Sequence, residues 1–349
     1  MTLSEPIHSI EAHGLTKFFG ATAAVKNVSF QIAPGEVVGF LGPNGAGKST
    51  TLRMLSGLLR ADHGEAYVNG VSVARNPTCV KRQLGFMPEN NPLPEDLRVI
   101  EYLSYRARLK GVPRKERAKR IDEVLEACDL QRTARRKLIG SLSKGFRQRV
   151  GLADAILSKP AVTILDEPTI GLDPHQILQI RKLIENLKGR TTVMLSSHIL
   201  SEVEISCDRV IILNRGVIVA SGVPKELRQE FFPGSRYEAE IAGDPKTLAS
   251  VIGSAGIECG LEDPAANDEG NPDFRRICLS FKEEEDLSEK LINKITSTDG
   301  LRLKHYSAHP VTLEDIFLAA TRRSWEVEMT TQPAEIPGED EKAEEVAQP

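Results

Sequence analysis

Long hydrophobic runs and paired cysteines are both missing from this sequence. No stretch of its 349 residues approaches the roughly 18 consecutive apolar residues that a membrane-spanning helix needs, and the N-terminus lacks the basic start and apolar run of a secretion signal. The five cysteines are odd in number and form no C-x-x-C pair, which argues against a disulfide framework or a zinc site. We therefore expect a cytoplasmic protein with reduced thiols.

Aromatic residues are also scarce, at 5% of the chain with one tryptophan. The run from Arg106 to Arg120 holds eight basic residues and one acidic residue, with no aromatic residue among them. A surface that binds single-stranded nucleic acid interleaves basic and aromatic side chains. We interpret the run as a solvated helix face rather than a nucleic-acid or lipid patch, and we expect no nucleic-acid partner.

Negative charge is concentrated at the C-terminus. Residues 326–349 contain eight acidic residues against Lys342, a net charge of −7, whereas the whole chain carries −4. This segment also has few apolar side chains, so it predicts a disordered acidic tail. The overall composition of 40% hydrophobic and 27% charged residues is that of a globular protein.

Residues 9–230 follow the pattern of an α/β domain in which apolar strands alternate with helices. A charged, periodic stretch from about 98 to 138 has a helical pattern throughout. We therefore predict a helical subdomain, over about 90–155, inserted into a mostly parallel sheet. The predicted strands of the sheet are Val37–Leu41, Val162–Leu165, Thr192–Ser196 and Val210–Leu213.

The turn after the first of these strands matches the phosphate-binding pattern G-x-x-x-x-G-K-[ST]. Glycines let successive backbone N–H groups point at phosphate oxygens, and the following helix N-terminus adds partial positive charge. Lys48 would reach the β- and γ-phosphates, and Ser49 would bind Mg²⁺. An ordinary glycine-rich turn is the alternative, but the flanking strand and helix favour phosphate binding. The residues expected to hold the nucleotide are Gly42, Pro43, Asn44, Gly45, Ala46, Gly47, Lys48, Ser49 and Thr50.

Two carboxylates end the strand Val162–Leu165. Asp166 is expected to hold the magnesium shell, and Glu167 to polarise the water that attacks the γ-phosphate. A solvated acidic pair at a strand end is the alternative. The phosphate-binding loop elsewhere in the chain favours the catalytic interpretation.

Four further segments resemble motifs of the ATP-binding cassettes of ABC transporters. The segment from Leu142 to Arg149 resembles the family's signature sequence, and Gly171-Leu172-Asp173 resembles its D-loop. His198 resembles the switch histidine, and Phe19 takes the place of the aromatic residue that stacks on adenine. The likeness covers residues 9 to about 230.

This resemblance implies roles for individual residues. ATP and Mg²⁺ would be sandwiched between two cassettes, so Ser143 and Gly145 would contact the γ-phosphate bound to a second copy. Asp173 would belong to the same composite site, and His198 would sense the γ-phosphate. Lys48, Glu167 and His198 are the residues expected to be catalytic.

Three positions depart from the family's pattern. Glu89 replaces the usual Q-loop glutamine, which removes an amide donor and adds negative charge; we expect it to remain a possible magnesium contact beside Ser49 and Asp166. Lys144 and Phe146 replace a glycine and the glutamine of the signature, while Ser143 and Gly145 remain.

The region 235–325 has a different pattern from the cassette. Its strands and helices follow the order β-α-β-β-α-β, which predicts a small ferredoxin-like α+β domain. A last helix begins after Thr312 with Asp315 in its first turn, and we expect it to pack on this small domain. The predicted fold is thus a P-loop ABC cassette, α/β in class with an inserted helical subdomain, followed by a small α+β domain and the acidic tail.

Within the family the chain resembles single-cassette exporter subunits, most of all the gliding-motility-associated type, alongside sodium and drug exporters. The resemblance implies an ATP-hydrolysing subunit that works as a dimer of two identical cassettes. It also implies a separate membrane-spanning permease that holds the subunit on the inner face of the membrane. The alternative is a soluble ABC ATPase that acts on ribosomes or nucleic acid. Such proteins usually carry two cassettes, whereas this chain has one phosphate loop and one signature.

A GTPase is disfavoured because the only Asn-Lys, at Asn293, lacks the following Asp of N-K-x-D.

Overall fold

A computed structural model describes residues 8–254, 259–262, 274–281 and 288–331. The strands are β1 Ile10–Phe19, β2 Thr22–Ile32, β3 Val37–Leu41, β4 His63–Val68, β5 Val71–Ser72, β6 Leu84–Met87, β7 Val162–Leu165, β8 Thr192–Ser197, β9 Arg209–Asn214, β10 Val217–Gly222, β11 Ser235–Ala242, β12 Cys259–Glu262, β13 Phe274–Phe281 and β14 Arg302–Ala308. The helices are α1 Lys48–Leu55, α2 Pro77–Gln83, α3 Val99–Leu109, α4 Arg117–Ala127, α5 Lys144–Ile156, α6 Pro174–Leu187, α7 Leu200–Ser206, α8 Pro224–Phe231, α9 Pro245–Ser254, α10 Ser288–Ser297 and α11 Leu313–Thr331.

The central sheet has six strands in the order β10-β9-β3-β8-β7-β6. Its neighbouring strands are parallel except for β10, which runs antiparallel to β9. The carboxyl ends of β3, β7 and β8 therefore meet at one edge, where an open α/β sheet binds its ligand. The four strands predicted from apolar runs all belong to this sheet.

Strand β3 is buried on both faces. Val37 and Leu41 belong to one apolar cluster, and Val38 and Phe40 belong to the other. A continuous run of apolar residues is what a parallel strand covered on both sides requires. The second cluster lies between the central sheet and a four-stranded antiparallel sheet in the order β2-β1-β4-β5.

The helical subdomain contains α3, α4 and α5, but the prediction of continuous helix over 98–138 is wrong. Helix α3 ends at Leu109, before Gly111 at φ 72° and then Pro113. A left-handed glycine ends a helix, and a proline cannot continue one. Helix α4 ends at Ala127, and Asp129 then takes a left-handed conformation at φ 53°.

A buried ion pair joins α3 to α5. Asp154, 5% exposed, receives two hydrogen bonds from Arg106, at 2.9 Å from Nε and 2.8 Å from a terminal guanidinium nitrogen. Lys110 Nζ lies 3.3 Å from the same carboxylate. Burial lowers the pKa of Lys110, while Asp154 opposes that shift. Part of the basic run thus neutralises a buried carboxylate, so it is not wholly a solvated face.

The predicted β-α-β-β-α-β order of the small domain is confirmed. Its sheet has the order β12-β13-β11-β14 with antiparallel pairs throughout. Helices α9 and α10 supply Leu248, Leu291 and Ile295 to a separate apolar cluster with the sheet.

The last helix, α11, does not pack as predicted. Its buried residues Leu313, Ile316 and Ala320 belong to the apolar cluster of the cassette, not to that of the small domain. The amphipathic stripe specified that one face is buried, but a stripe does not specify the surface it meets. The predicted capping role of Asp315 holds, since its carboxylate accepts a hydrogen bond from Thr312 N at 2.8 Å.

Helix α11 continues to Thr331, six residues into the segment predicted as a tail, and residues 332–349 lie outside the described part of the chain. Of the helices that the structure describes, none combines the length and apolar character required to cross a bilayer.

Candidate nucleotide site

The phosphate-binding loop connects β3 to α1 as the sequence predicts. Gly45 and Gly47 have φ values of 80° and 102°, a region that side chains disfavour. Close packing adds a second requirement, because a Cβ at Gly42 would lie 2.5 Å from the carbonyl oxygen of Leu213, and one at Gly47 would lie 2.5 Å from that of Ala24. These positions therefore tolerate only glycine without a backbone shift.

Lys48 begins α1 and points back over the loop. Its Nζ donates to the Gly42 carbonyl at 2.7 Å and lies 3.4 Å from the Pro43 carbonyl. It also lies 3.8 Å from Glu167 Oε1, although the Lys48 side chain is only 7% exposed. An ammonium group held among carbonyls in this position can meet a phosphate as a point charge.

Asp166 lies at the end of β7 and is fully buried. Its Oδ1 accepts hydrogen bonds from Ser49 Oγ at 3.1 Å and from Ser196 Oγ at 2.7 Å. Its other oxygen, Oδ2, is buried and has no hydrogen-bond partner. An unpartnered buried carboxylate oxygen beside a serine hydroxyl provides hard oxygen ligands of the type that Mg²⁺ prefers.

Glu167 follows directly and is 6% exposed. Its φ of 50° lies in the left-handed region, which costs a non-glycine residue about 1 kcal/mol or more. The hydrogen bond from Glu167 N to Ser196 Oγ, at 2.8 Å, holds this conformation. His198 Nδ1 lies 2.7 Å from Glu167 Oε2, so the Nδ1–H form of the imidazole donates to the carboxylate.

Ser196 is the residue of this group that sequence reasoning did not assign. It is fully buried and joins the Asp166 carboxylate to the Glu167 backbone, since its hydroxyl donates to Asp166 and accepts from the Glu167 amide. A pair of serines ending an otherwise apolar strand was the signal available. The register of β7 against β8 decides that this serine meets the acidic pair.

Ser143, Gly145 and Asp173 form a second group. Ser143 is exposed and caps α5 by accepting from Phe146 N at 3.5 Å, and Asp173 caps α6 by accepting from Gln176 N at 2.9 Å. A Cβ at Gly145 would lie 1.8 Å from Gln176 Oε1, so the starts of the two helices touch. Among the described residues, no hydrogen bond or ion pair joins this group to the phosphate-binding loop.

Two other predicted site residues stand apart from both groups. Phe19, at the end of β1, is 54% exposed, with Lys17 Nζ 5.9 Å from its ring centroid. Glu89 is half-buried, two residues after β6, the strand that pairs with β7 and ends beside Asp166. The Asp166 amide donates to the Met87 carbonyl at 2.8 Å, which ties the Glu89 loop to the acidic strand end.

The sequence and the fold are similar to those of known proteins. The profile of the ABC transporter family matches residues 25–170. The Nod factor export ATP-binding protein I of Rhizobium sp. (strain N33) is 32% identical over 91% of this chain and 98% of its own length. This chain belongs to the ATP-binding subunits of ABC transporters. The ABC subunit binds ATP and is an ATPase.

Two further relatives fix the extent of the likeness. A solved dimeric ATP-binding cassette in a post-hydrolysis state, bound to ADP and Pi, is 27% identical with a TM-score of 0.57 over 61% of this subunit and 98% of that chain. The ABC transporter A family member 1 of Dictyostelium discoideum is 32% identical over 84% of this subunit, which spans only 34% of that longer protein.

Proposed function

We propose that this ABC subunit binds ATP with Mg²⁺ on one copy, hydrolyses it when a second copy closes over the nucleotide, and thereby drives export through a separate membrane permease. The observation that carries the proposal is the hydrogen-bonded chain from Ser49 through Asp166 and Ser196 to Glu167, with His198 at its end.

Phosphate binding comes first. Gly45 and Gly47 give the loop of Gly42 to Ser49 its left-handed backbone conformation, and Lys48 donates to the Gly42 carbonyl from a nearly buried position. Because the low-dielectric surroundings strengthen each charge-assisted hydrogen bond, Lys48 contributes strongly to the affinity for the γ-phosphate. Phe19, exposed at the end of β1, offers its ring to the adenine.

Ser49 and Asp166 fit a magnesium ion held partly by the substrate's phosphates, with Glu89 as a third oxygen donor. In the described part of the chain no three His, Cys, Asp or Glu residues cluster as a full protein-only metal site. Mg²⁺ in nucleotide sites commonly uses one or two protein oxygens together with phosphates and water. Bound there, Mg²⁺ supplies charge neutralisation on the phosphate oxygens.

Glu167 orients the attacking water. Its carboxylate is fixed by the Ser196 contact to its backbone and by His198 at Oε2, so it need not reorganise during the reaction. His198, half-exposed, holds the carboxylate from the side that faces solvent. Phosphoryl transfer needs positioning more than covalent chemistry, which these contacts provide.

Ser143 and Gly145 complete the site in a second copy. Ser143 is exposed at the start of α5, where the helix N-terminus favours an anionic ligand. The dimeric relative bound to ADP and Pi supports a pair of cassettes as the working form. The γ-phosphate then touches both copies, so hydrolysis removes a contact that favours the closed dimer and drives its opening.

The names of relatives and one exposed surface support a permease partner and export. The name of the Nod factor export relative supports export. Tyr105 and Leu109, one turn apart on α3, are 55% and 60% exposed beside an open groove, which is the kind of apolar surface that a partner covers. We propose that the permease contacts α3 and holds the subunit on the inner face of the membrane. Copurification with the membrane protein of a neighbouring reading frame tests this.

The central test uses Glu167→Gln, which keeps the shape of the side chain but removes its charge. We expect the variant to bind ATP and to accumulate as an ATP-bound dimer in size-exclusion chromatography, with hydrolysis lowered by roughly two orders of magnitude or more. Exposed Glu185→Gln on α6 is the matched control. Hydrolysis by Glu167→Gln at the rate of this control would reject the proposed role.

A further inference from the structure

Helix α11, which follows the small domain, docks on the helix that follows His198. Leu313 and Ile316 are fully buried, and Ala320 is 2% exposed. They share an apolar cluster with Val203 of α7 and Leu227 of α8. A segment more than 100 residues beyond α7 in sequence therefore forms part of its packing surface.

A polar contact fixes the start of α11 against α7. The Arg228 guanidinium, on α8, pairs with Glu204 of α7, and its Nε donates to the Val311 carbonyl at 2.7 Å. Glu204 also accepts from the Leu313 amide at 3.4 Å. The pair is partly exposed, so apolar burial supplies most of the docking energy and the pair sets the position of α11.

Helix α7 depends on such packing for its position. It has seven residues, too few for a helix to be stable alone. On the side facing the sheet, Val203 packs against Gly39. A Cβ on Gly39 would lie only 2.3 Å from the Val203 side chain. Only Ile199 separates the helix from His198, and the Ile199 amide donates to Ser197 Oγ at 3.0 Å. A shift of α7 would therefore move the imidazole relative to Glu167.

We propose that Arg228 and Glu204, together with the docked start of α11, are positioning residues for His198. They hold α7 so that Nδ1 stays within hydrogen-bonding distance of Glu167, and they make hydrolysis sensitive to the attachment of the small domain. The inference rests on the proposed role of His198 at the nucleotide site. It assigns the C-terminal region a part in the reaction without any contact to the nucleotide.

The test compares Arg228→Ala with Arg276→Ala in the full-length chain. Arg276 Nε pairs with Glu238 at 2.8 Å and is similarly exposed, but it lies on the sheet of the small domain. We expect kcat to fall about tenfold in Arg228→Ala because a displaced group loses its alignment, with KM and the Kd for ATP unchanged and with partial rescue by Arg228→Lys. Arg276→Ala should match the parent. If Arg228→Ala folds poorly, Glu204→Gln removes the same ion pair with little change in shape.

A double-mutant cycle with His198→Ala separates the two proposals. We expect Arg228→Ala to add little to the loss in a His198→Ala background, as single-turnover rates would measure. If His198→Ala keeps the parent rate, the proposed site is wrong. The positioning role is overturned if His198→Ala loses activity but Arg228→Ala behaves like Arg276→Ala. It is also overturned if Arg228→Ala changes the Kd for ATP as well as kcat, or if it lowers the rate equally in both backgrounds.

Discussion

The two groups of nucleotide-site residues are held in different ways. Asp166 and Glu167 lie at buried strand ends, 0% and 6% exposed, and are fixed by hydrogen bonds from neighbouring strands and the phosphate-binding loop. Ser143 is exposed at the start of a helix, and within the described part of the chain its hydroxyl forms a hydrogen bond only with the turn that it caps. In the proposed function the first group forms most of the reaction centre, whereas the second offers donors to a nucleotide bound by another copy.

The two groups therefore need different hydrogen-bond partners. A buried carboxylate must have partners within its own chain, because an unpaired charge away from water is costly. An exposed helix N-terminus can bind an anion from another molecule, since water forms hydrogen bonds with its amides until the anion arrives. The comparison can be tested from both sides.

The largest expected effect on the affinity for ATP is on the phosphate-loop side. Lys48→Ala should weaken ATP binding roughly 10- to 100-fold, because it removes a charge-assisted hydrogen bond in a nearly buried position. Isothermal titration calorimetry with ATP and Mg²⁺ measures this, with the exposed Lys81→Ala on α2 as the control. Equal affinities of the two variants would contradict the assignment of the loop.

The signature side should show a loss of hydrolysis without loss of binding. Ser143→Asp keeps a good helix cap but presents a negative charge to the γ-phosphate of the partner copy, so we expect hydrolysis to fall about 100-fold. Ser143→Asn is the matched control, since it caps equally well without the charge.

Mixing Ser143→Asp with Lys48→Ala sharpens the same point. Each mixed dimer would have one intact site formed from the unaltered halves, so activity should recover to about a quarter of the parent rate for random pairing in a symmetric dimer. No recovery in mixtures that do form dimers would show that Ser143 does not act across the copies.

A smaller effect is expected at Glu89, in the loop after β6, the strand whose last residue accepts a hydrogen bond from the Asp166 amide. Glu89→Gln removes a charged oxygen donor, so half-maximal hydrolysis should need a few-fold more Mg²⁺ because a neutral amide attracts the cation less. The measurement is a magnesium titration of the ATPase rate at saturating ATP. An unchanged titration would remove Glu89 from the metal site.

The smallest effects concern thiols in the packed interior on either side of the site. Burial raises the pKa of Cys128, in the helical subdomain, and of Cys207, after α7, to about 12. A raised pKa leaves little thiolate at pH 8, so both should react slowly with maleimide, and faster only as the pH approaches that value. Exposed Cys79 should react before either of them, as peptide mapping would show. Rapid labelling of Cys128 alone would indicate that the signature half opens more readily than the phosphate-loop half.

The local sequence was sufficient to predict those elements whose structure depends mainly on their own residues. The apolar run of β3 and the glycines after it predicted the strand, the loop and the start of α1, because each follows from backbone and burial rules that act within a few residues. The same holds for the alternating strands and helices of the small domain. The prediction of continuous helix over 98–138 was wrong because it relied on the charge periodicity and neglected Gly111 and Pro113, which end a helix.

The sequence by itself determined the fold class, the nucleotide motifs and the existence of an amphipathic last helix. Only the tertiary structure decided that Ser196 links Asp166 to the Glu167 amide, and that α11 docks on the cassette beside α7 rather than on the small domain. The reason is physical: a side-chain pattern states that a face must be buried or a polar group paired, whereas the partner is chosen by strand register and by packing between segments distant in sequence.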